Sequence, residues 1–134
     1  MGLRKVLEEN FDYEILDEFM DHFAMAAESI ELLTINLEKA EYYKRNIDEL
    51  FRIFHNIKSA TAYLKITLIR DFAIEVEDLL DKMRDEEGPA RTEVVDWLLL
   101  CNDQMSEWNI NLRLDEDLVP LKEALLVLPT LQKE

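Results

Sequence analysis

The chain has 134 residues, of which 30 are acidic and 15 are basic, so its formal net charge is −15. This length suits one packed domain and is too short for a kinase together with a partner domain. The negative charge repels nucleic acid phosphates and anionic lipid headgroups, so we expect no nucleic acid or membrane partner. No apolar stretch approaches the roughly 20 residues of a membrane span, and the first residues lack a signal-peptide pattern.

Cysteine, glycine and proline are all scarce. Cys101 is the only cysteine, so the sequence offers neither a disulfide framework nor a cysteine zinc site, and we expect a reducing, cytoplasmic location. Two glycines and three prolines leave long stretches without a residue that breaks helices. The sequence therefore predicts long helices.

Apolar residues recur at spacings of three and four in the first half of the chain, which is typical of helices with one buried face. The first predicted helix runs from about Tyr13 to Leu37. A polar stretch from Glu38 to Asn46 then leads to a second helix, whose buried face extends from Ile47 to Leu64. The second half continues the pattern.

A third predicted helix covers about Thr67 to Asp85 and stops at the turn signal Glu87-Gly88-Pro89. The fourth starts at Thr92 and extends at least to Trp108. A shorter fifth helix is predicted over about 115–128. Strand-like alternation is not sustained anywhere, so we expect one all-α domain over residues 1–134. It is predicted to be an antiparallel four-helix bundle with a core over 11–109 and this additional C-terminal helix.

His55 lies just off the buried face of the second predicted helix, in the segment from Phe54 to Ala62. Residues three and four apart on a helix are neighbours, so Lys58 and Ser59 flank the imidazole on one side. Phe51 and Arg52 flank it on the other side. An exposed imidazole beside a lysine and small residues suits a phosphohistidine better than a metal site or a core position.

The helix order and this motif resemble histidine phosphotransfer domains, specifically the five-helix kind at the N-terminus of CheA-type chemotaxis kinases. In that family the histidine is followed by two residues, a lysine and a small residue, and here His55, Lys58 and Ser59 take those places. The resemblance implies that Glu77 hydrogen-bonds the phospho-accepting imidazole. The second histidine of that subgroup, expected three residues earlier, is Ile74 here.

These residue types suit phosphoryl transfer on chemical grounds. A neutral imidazole is a nitrogen nucleophile near neutral pH, and a carboxylate bound to one ring nitrogen determines which nitrogen attacks. Glu77 would hold Nδ1–H of His55 and leave Nε2 to attack. Lys58 would stabilise the bound phosphoryl group as a compact point charge.

Small side chains beside a histidine lower the steric barrier to the approach of another protein. The expected partner-docking residues are Phe51, Arg52, Ser59 and Ala62. The resemblance implies two partners, the catalytic domain of a histidine kinase and the receiver domain of a response regulator, whose aspartate would take the phosphoryl group from His55.

Other functions receive less support from the sequence. His22 has no matching lysine and no run of small residues beside it, so we interpret it as an ordinary boundary histidine. A di-iron bundle needs a glutamate three residues before a histidine on each of two helices, and neither histidine is so placed. We therefore expect no metal and no cofactor.

The classification of the chain as an enzyme stays open. A glycine-rich phosphate loop cannot be built from Gly2 and Gly88 alone, so we expect the chain not to take phosphate from ATP unaided. It could be a free-standing carrier or the phospho-accepting piece of a longer histidine kinase. The main alternative is a silent helical adaptor or inhibitor that docks on a kinase, and such a protein would tolerate His55→Gln.

Overall fold

The computed structural model describes residues 2–131, which form an antiparallel helical bundle. The two ends of the predicted domain, residue 1 and residues 132–134, lie outside this described part. The regular structure of residues 2–131 consists of five α-helices and two 3-10 turns. The helices are α1 (Leu3–Asn10), α2 (Tyr13–Ile35), α3 (Ala40–Tyr63), α4 (Thr67–Met83) and α5 (Thr92–Arg113), and the 3-10 turns are Asn36–Glu38 and Glu123–Leu125.

The four long helices confirm the four predicted from apolar spacing, and their predicted faces form the core. The buried aromatic rings meet at its centre, where the Phe72 ring packs edge-on against Trp108 at 5.3 Å and against Phe54 at 6.4 Å between ring centroids. Edge-to-face packing at these distances is a favoured arrangement of aromatic rings. The helix that carries His55, predicted as the second, is α3.

α3 begins at Ala40, inside the stretch that looked polar in the sequence. Two residues of that stretch are buried because their polar atoms find backbone partners. The hydroxyl of Tyr43 donates to the carbonyl oxygen of Met83 at 3.1 Å, and Asn46 Nδ2 donates to the carbonyl oxygen of Leu33 at 3.1 Å. These bonds tie the start of α3 to the ends of α4 and α2.

The predicted turn after α4 is present, and Gly88 has a conformation that glycine favours. Its φ is +78°, in the region that other residues rarely adopt. A Cβ at this position would also overlap the ring of Tyr43. The turn can therefore pass closely over the start of α3 because this residue has no side chain.

The predicted C-terminal helix over 115–128 is wrong. After α5 the chain is mostly irregular and contains only the second 3-10 turn, Glu123–Leu125. Side chains of α5 bind its backbone: Asn111 Oδ1 accepts from the amide of Val119, Gln104 Oε1 accepts from the amide of Lys122, and Trp108 Nε1 donates to the carbonyl oxygen of Val119. These bonds hold the segment along α5 and compete with helix formation.

The fifth helix lies at the other end of the chain, where the sequence pattern gave no prediction. α1 contains only one buried residue, Leu7, so its apolar face is short. Asp115 Oδ1 accepts from the backbone amide of Lys5 at 3.1 Å, and Arg4 Nη1 donates to the carbonyl oxygen of Arg113 at 2.8 Å. The first turn of α1 is thus capped by a residue 110 positions away in the sequence.

Candidate functional site

α3 and α4 bring together the residues of the predicted site. These two helices pack on each other more extensively than any other pair of elements in the described chain. Their buried faces fix the antiparallel register, and His55 and Glu77 lie at the same level just outside the apolar contact. A helix residue can face a given partner across such a pair only in one register, so core packing aligns the site.

Glu77 binds both His55 and Lys58. Its Oε2 lies 2.8 Å from Nδ1 of His55, and its Oε1 accepts a hydrogen bond from Nζ of Lys58 at 2.8 Å. The side chain of Glu77 is 12% exposed and that of Lys58 is 28% exposed, whereas the imidazole side chain is 52% exposed. The carboxylate is therefore nearly enclosed, while the ring that it holds remains accessible.

The electrostatics of the site favour an ionised Glu77. Burial by itself would raise the pKa of this carboxyl group, but hydrogen bonds and positive charge from Lys58 and His55 outweigh it and lower the pKa below its ordinary value. An ionised carboxylate can only accept hydrogen bonds, so a neutral imidazole must carry its proton on Nδ1 and donate this N–H to the carboxylate. The lone pair then lies on Nε2, the nitrogen suited to nucleophilic attack.

On the other side of His55 lie residues that the sequence analysis did not assign to the catalytic site. The ring of Phe51 is nearly parallel to the imidazole, with an interplanar angle of 13° and a centroid separation of 6.2 Å. The guanidinium carbon of Arg84 lies 4.0 Å from the centroid of the Phe51 ring. Arg84 is seven residues after Glu77, a spacing of about two helical turns that places both on one helix face. This spacing is the feature of the sequence that could have indicated Arg84 as a neighbour of the site.

The four expected docking residues have different surroundings. Arg52, Ser59 and Ala62 are exposed, and Arg52 Nη1 forms an ion pair with Glu49 at 2.6 Å. Phe51 is half-buried beneath Arg84. Three of the four side chains therefore face solvent around His55, whereas Phe51 contributes mainly to the packing beside the ring.

A groove of about 460 Å³ separates parts of α2 and α3. Its α3 wall includes Asn56 and Ala60, which are one and five residues after His55. His22 lines the α2 wall and is exposed, which differs little from the boundary position expected for it. Most of the remaining lining is apolar: Ile15, Phe19, Phe23, Met25, Ala26, Ile53, Ile57, Tyr63 and Leu64.

Other potential reactive features are few among residues 2–131. Cys101 is buried, and burial raises the pKa of its thiol well above the ordinary value, so this side chain is an unreactive part of the core. In this part of the chain no three histidine, cysteine, aspartate or glutamate side chains cluster as metal ligands. None of the described helices combines the length and the apolar character needed to cross a membrane.

Comparison with known proteins connects this geometry to a family. The family model for the Hpt domain matches residues 14–108. The chain is 31% identical over 102 residues to the chemotaxis protein CheA of Borreliella burgdorferi, a match that covers 76% of this chain and 12% of that protein. It is also 31% identical over 90 residues to CheA of Treponema pallidum, covering 67% of this chain and 11% of that protein.

A third relative is the sensor histidine kinase CheAY of Helicobacter pylori, which is 26% identical over 102 residues. That match covers 73% of this chain and 13% of the relative, so the chain spans only about an eighth of the curated relatives that it matches. No solved structure matches the chain significantly. The family match and the two CheA relatives establish that the chain belongs to the Hpt domain family, the histidine-containing phosphotransfer domains of two-component signalling.

Proposed function

We propose that this chain is the phosphoryl carrier of a phosphorelay in which His55 accepts a phosphoryl group and passes it to an aspartate of a receiver domain. The observation that carries this proposal is the contact of 2.8 Å between Glu77 Oε2 and Nδ1 of a ring whose side chain is 52% exposed. The contact orients the ring without enclosing it. Such an arrangement suits a nucleophile that must meet two different proteins.

The proposed chemistry uses Nε2 of His55 in both transfers, first as the acceptor and then as the donor of the phosphoryl group. The lone pair of Nε2 forms a bond to phosphorus, and the bond between phosphorus and the leaving oxygen of the donor breaks, with that oxygen keeping the electron pair. In the second transfer a receiver carboxylate oxygen forms the new bond to phosphorus, and Nε2 recovers its electron pair. Glu77 remains bound to Nδ1–H and stabilises the positive charge that the ring acquires while it carries the phosphoryl group.

Lys58 has two roles in this proposal. Its ammonium group is bound to Glu77 Oε1, so it helps to keep the carboxylate ionised before phosphorylation. Because Lys58 is on the turn of α3 that follows His55, its charge is also close to the place where the phosphoryl oxygens would lie. Phosphoryl transfer depends mainly on positioning and charge compensation, and a lysine at this place supplies both.

Partner docking is proposed for the surface around His55 that includes Arg52, Ser59 and Ala62. The neighbouring groove between α2 and α3 adds an apolar concave surface beside the same helix. A receiver domain would dock here and bring its aspartate to Nε2. The phosphoryl donor would be a histidine kinase catalytic domain, either in a longer version of this protein or in a separate protein. The cytoplasmic location expected from the sequence remains a prediction.

The test is phosphorylation of the purified chain by a panel of histidine kinases with ATP, followed by addition of receiver proteins. Wild type should acquire acid-labile, base-stable phosphate, and His55→Gln should acquire none. His22→Gln is a matched control, since it removes an exposed histidine on a different helix, and it should be labelled like wild type. Release of this phosphate on adding a receiver would support the second transfer.

Two results would contradict the carrier proposal. Equal labelling of His55→Gln and wild type would move the acceptor to another residue. An unlabelled wild type that binds a kinase tightly, with the same affinity after His55→Gln, would instead support the adaptor or inhibitor function. Circular dichroism of each variant should give the wild-type helix content, because His55 and His22 are both exposed.

A further inference from the structure

The side of His55 away from Lys58 carries contacts that the proposed transfer chemistry does not use. Asp48, Phe51 and His55 follow one another on α3 at spacings of three and four residues, so they lie along one strip of the helix. Arg84, the residue that caps the C-terminal end of α4, reaches this strip from the neighbouring helix. Its guanidinium covers the Phe51 ring at 4.0 Å, and its Nε donates to Asp48 Oδ1 at 3.1 Å.

Arg84 is held in place through both its side chain and its backbone. Besides Asp48, its guanidinium contacts Asp81 Oδ1 on its own helix at 3.5 Å. Its carbonyl oxygen accepts a hydrogen bond from Nζ of Lys44 on α3 at 3.0 Å. Because these partners come from both helices, they favour a placement of the planar guanidinium over the face of the Phe51 ring.

The Phe51 ring can transfer this order to His55. The two ring planes differ by 13° at a centroid separation of 6.2 Å, which lies within the range of offset-stacked pairs. Rotation of the imidazole about its Cβ–Cγ bond, a broad torsion in an isolated histidine, would disrupt this parallel arrangement. The same rotation would break the contact between Nδ1 and Glu77 Oε2.

We propose that Arg84 is a positioning residue for His55 that acts through the Phe51 ring. Arg84 fixes the plane of Phe51, Phe51 limits the rotation of the imidazole, and Nδ1 therefore stays on Glu77 while Nε2 stays available. This role rests on the proposed function of His55 as phosphoryl acceptor. The imidazole is then held from two positions on the same face of α4, by Glu77 at its ring nitrogen and by Arg84 through an aromatic neighbour.

The test compares Arg84→Gln, Arg84→Lys, Phe51→Leu and the double variant Arg84→Gln/Phe51→Leu. Arg70→Gln is the matched control, because Arg70 lies on the same helix, has the same 39% side-chain exposure and is ion-paired with Asp71. The first measurement is the ¹⁵N chemical shifts of the His55 imidazole in the unphosphorylated protein, which report the tautomer. The second is the rate of His55 labelling by phosphoramidate, a small donor that needs no protein docking.

Arg84→Gln should shift the His55 tautomer away from Nδ1–H and slow labelling roughly two- to fivefold, the factor expected from an exposed cation–π contact. Phe51→Leu should have a similar effect, and the double variant should be no slower than the slower single variant, since both changes act on one chain of contacts. Arg84→Lys should recover part of the rate, because an ammonium also binds an aromatic face but lacks the planar stacking. Arg70→Gln should match wild type.

Several outcomes would overturn the proposal. Rate losses that multiply in the double variant would mean that Arg84 acts without Phe51, and an unchanged tautomer in Arg84→Gln would remove its positioning role. An equal effect of Arg70→Gln would mean that the loss of one positive charge, and not the position of Arg84, causes the slower labelling. If Arg84→Gln fails to fold, Arg84→Lys and Phe51→Leu decide by the same measurements. If wild type is not labelled on His55, the carrier function fails, while the tautomer measurement still decides whether Arg84 positions the ring.

Discussion

α3 contacts α4 on one side and α2 on the other, and the two contacts differ in kind. Towards α4, polar and charged side chains bridge the helices at two levels, through Arg84 to Asp48 and through Glu77 to His55 and Lys58. Towards α2, a groove of about 460 Å³ with mostly apolar walls leaves part of the helix uncovered. His55 is thus held firmly from one side, while the other side leaves room for a partner.

The largest expected effect distinguishes the packing of these two sides. Phe54 is fully buried and packs edge-on against Phe72 of α4. Phe54→Ala should lower the free energy of unfolding by about 3–5 kcal/mol, since it leaves a cavity in a close-packed region. Ile53→Ala, next to it but at the groove, should cost about 1 kcal/mol, because the half-buried side chain leaves no closed cavity. Urea unfolding measures both, and equal losses would contradict the contrast between the two sides.

The next effect concerns the charge that orients the ring. Glu77→Gln keeps the shape of the side chain but replaces a charge-assisted hydrogen bond with a weaker neutral one. Phosphoramidate labelling of His55 should slow about tenfold without being abolished. The control is Glu75→Gln, an exposed carboxylate two residues earlier on α4, which should leave the rate unchanged. Identical rates for the two variants would return Glu77 to the role of an ordinary surface charge.

A smaller effect is expected from closing the groove. Ala60→Trp places a large side chain in the α3 wall of the groove and should slow phosphoryl transfer to a receiver about fivefold by obstructing docking. Labelling by phosphoramidate should not change, because that donor requires no docking surface. Val127→Trp, at an exposed position that does not line the groove, should transfer normally. Normal transfer by Ala60→Trp would place receiver docking on another surface.

The smallest effect is the pH dependence of the ion pair between Lys58 and Glu77. The pKa of Glu77 is lowered in the folded state, so its contribution to stability is present above the ordinary value of 4.5 and is lost as pH falls through the lower folded pKa. Lys58→Ala should therefore destabilise the protein by about 1 kcal/mol near neutral pH and by less at about pH 3. Urea unfolding at both pH values tests this, with Lys82→Ala as an exposed control on α4. A loss that grows as the pH falls would contradict it.

The sequence and the resemblance predicted the contact between Glu77 and Nδ1 of His55, but not the other contacts around this ring. His55, Lys58 and Glu77 were all named from spacing and resemblance, and the structure brings the three together. Lys58 was expected to face the phosphoryl group, and its additional contact with Glu77 was not predicted. Arg84 was not named at all. Its partners Asp48 and Phe51 lie on another helix, and only the antiparallel register of α3 and α4 reveals which residues meet.

The sequence by itself determined the four long helices and their buried faces, because apolar side chains at helical spacing must leave water together. It did not determine the ends of the chain. α1 is capped by Asp115, a residue that is distant in sequence. The segment after α5 is held by side chains of Asn111 and Gln104, whose hydrogen bonds to its backbone compete with helix formation. Tertiary structure decided these features, since their hydrogen bonds exist only once the bundle has aligned α5 with both ends of the chain.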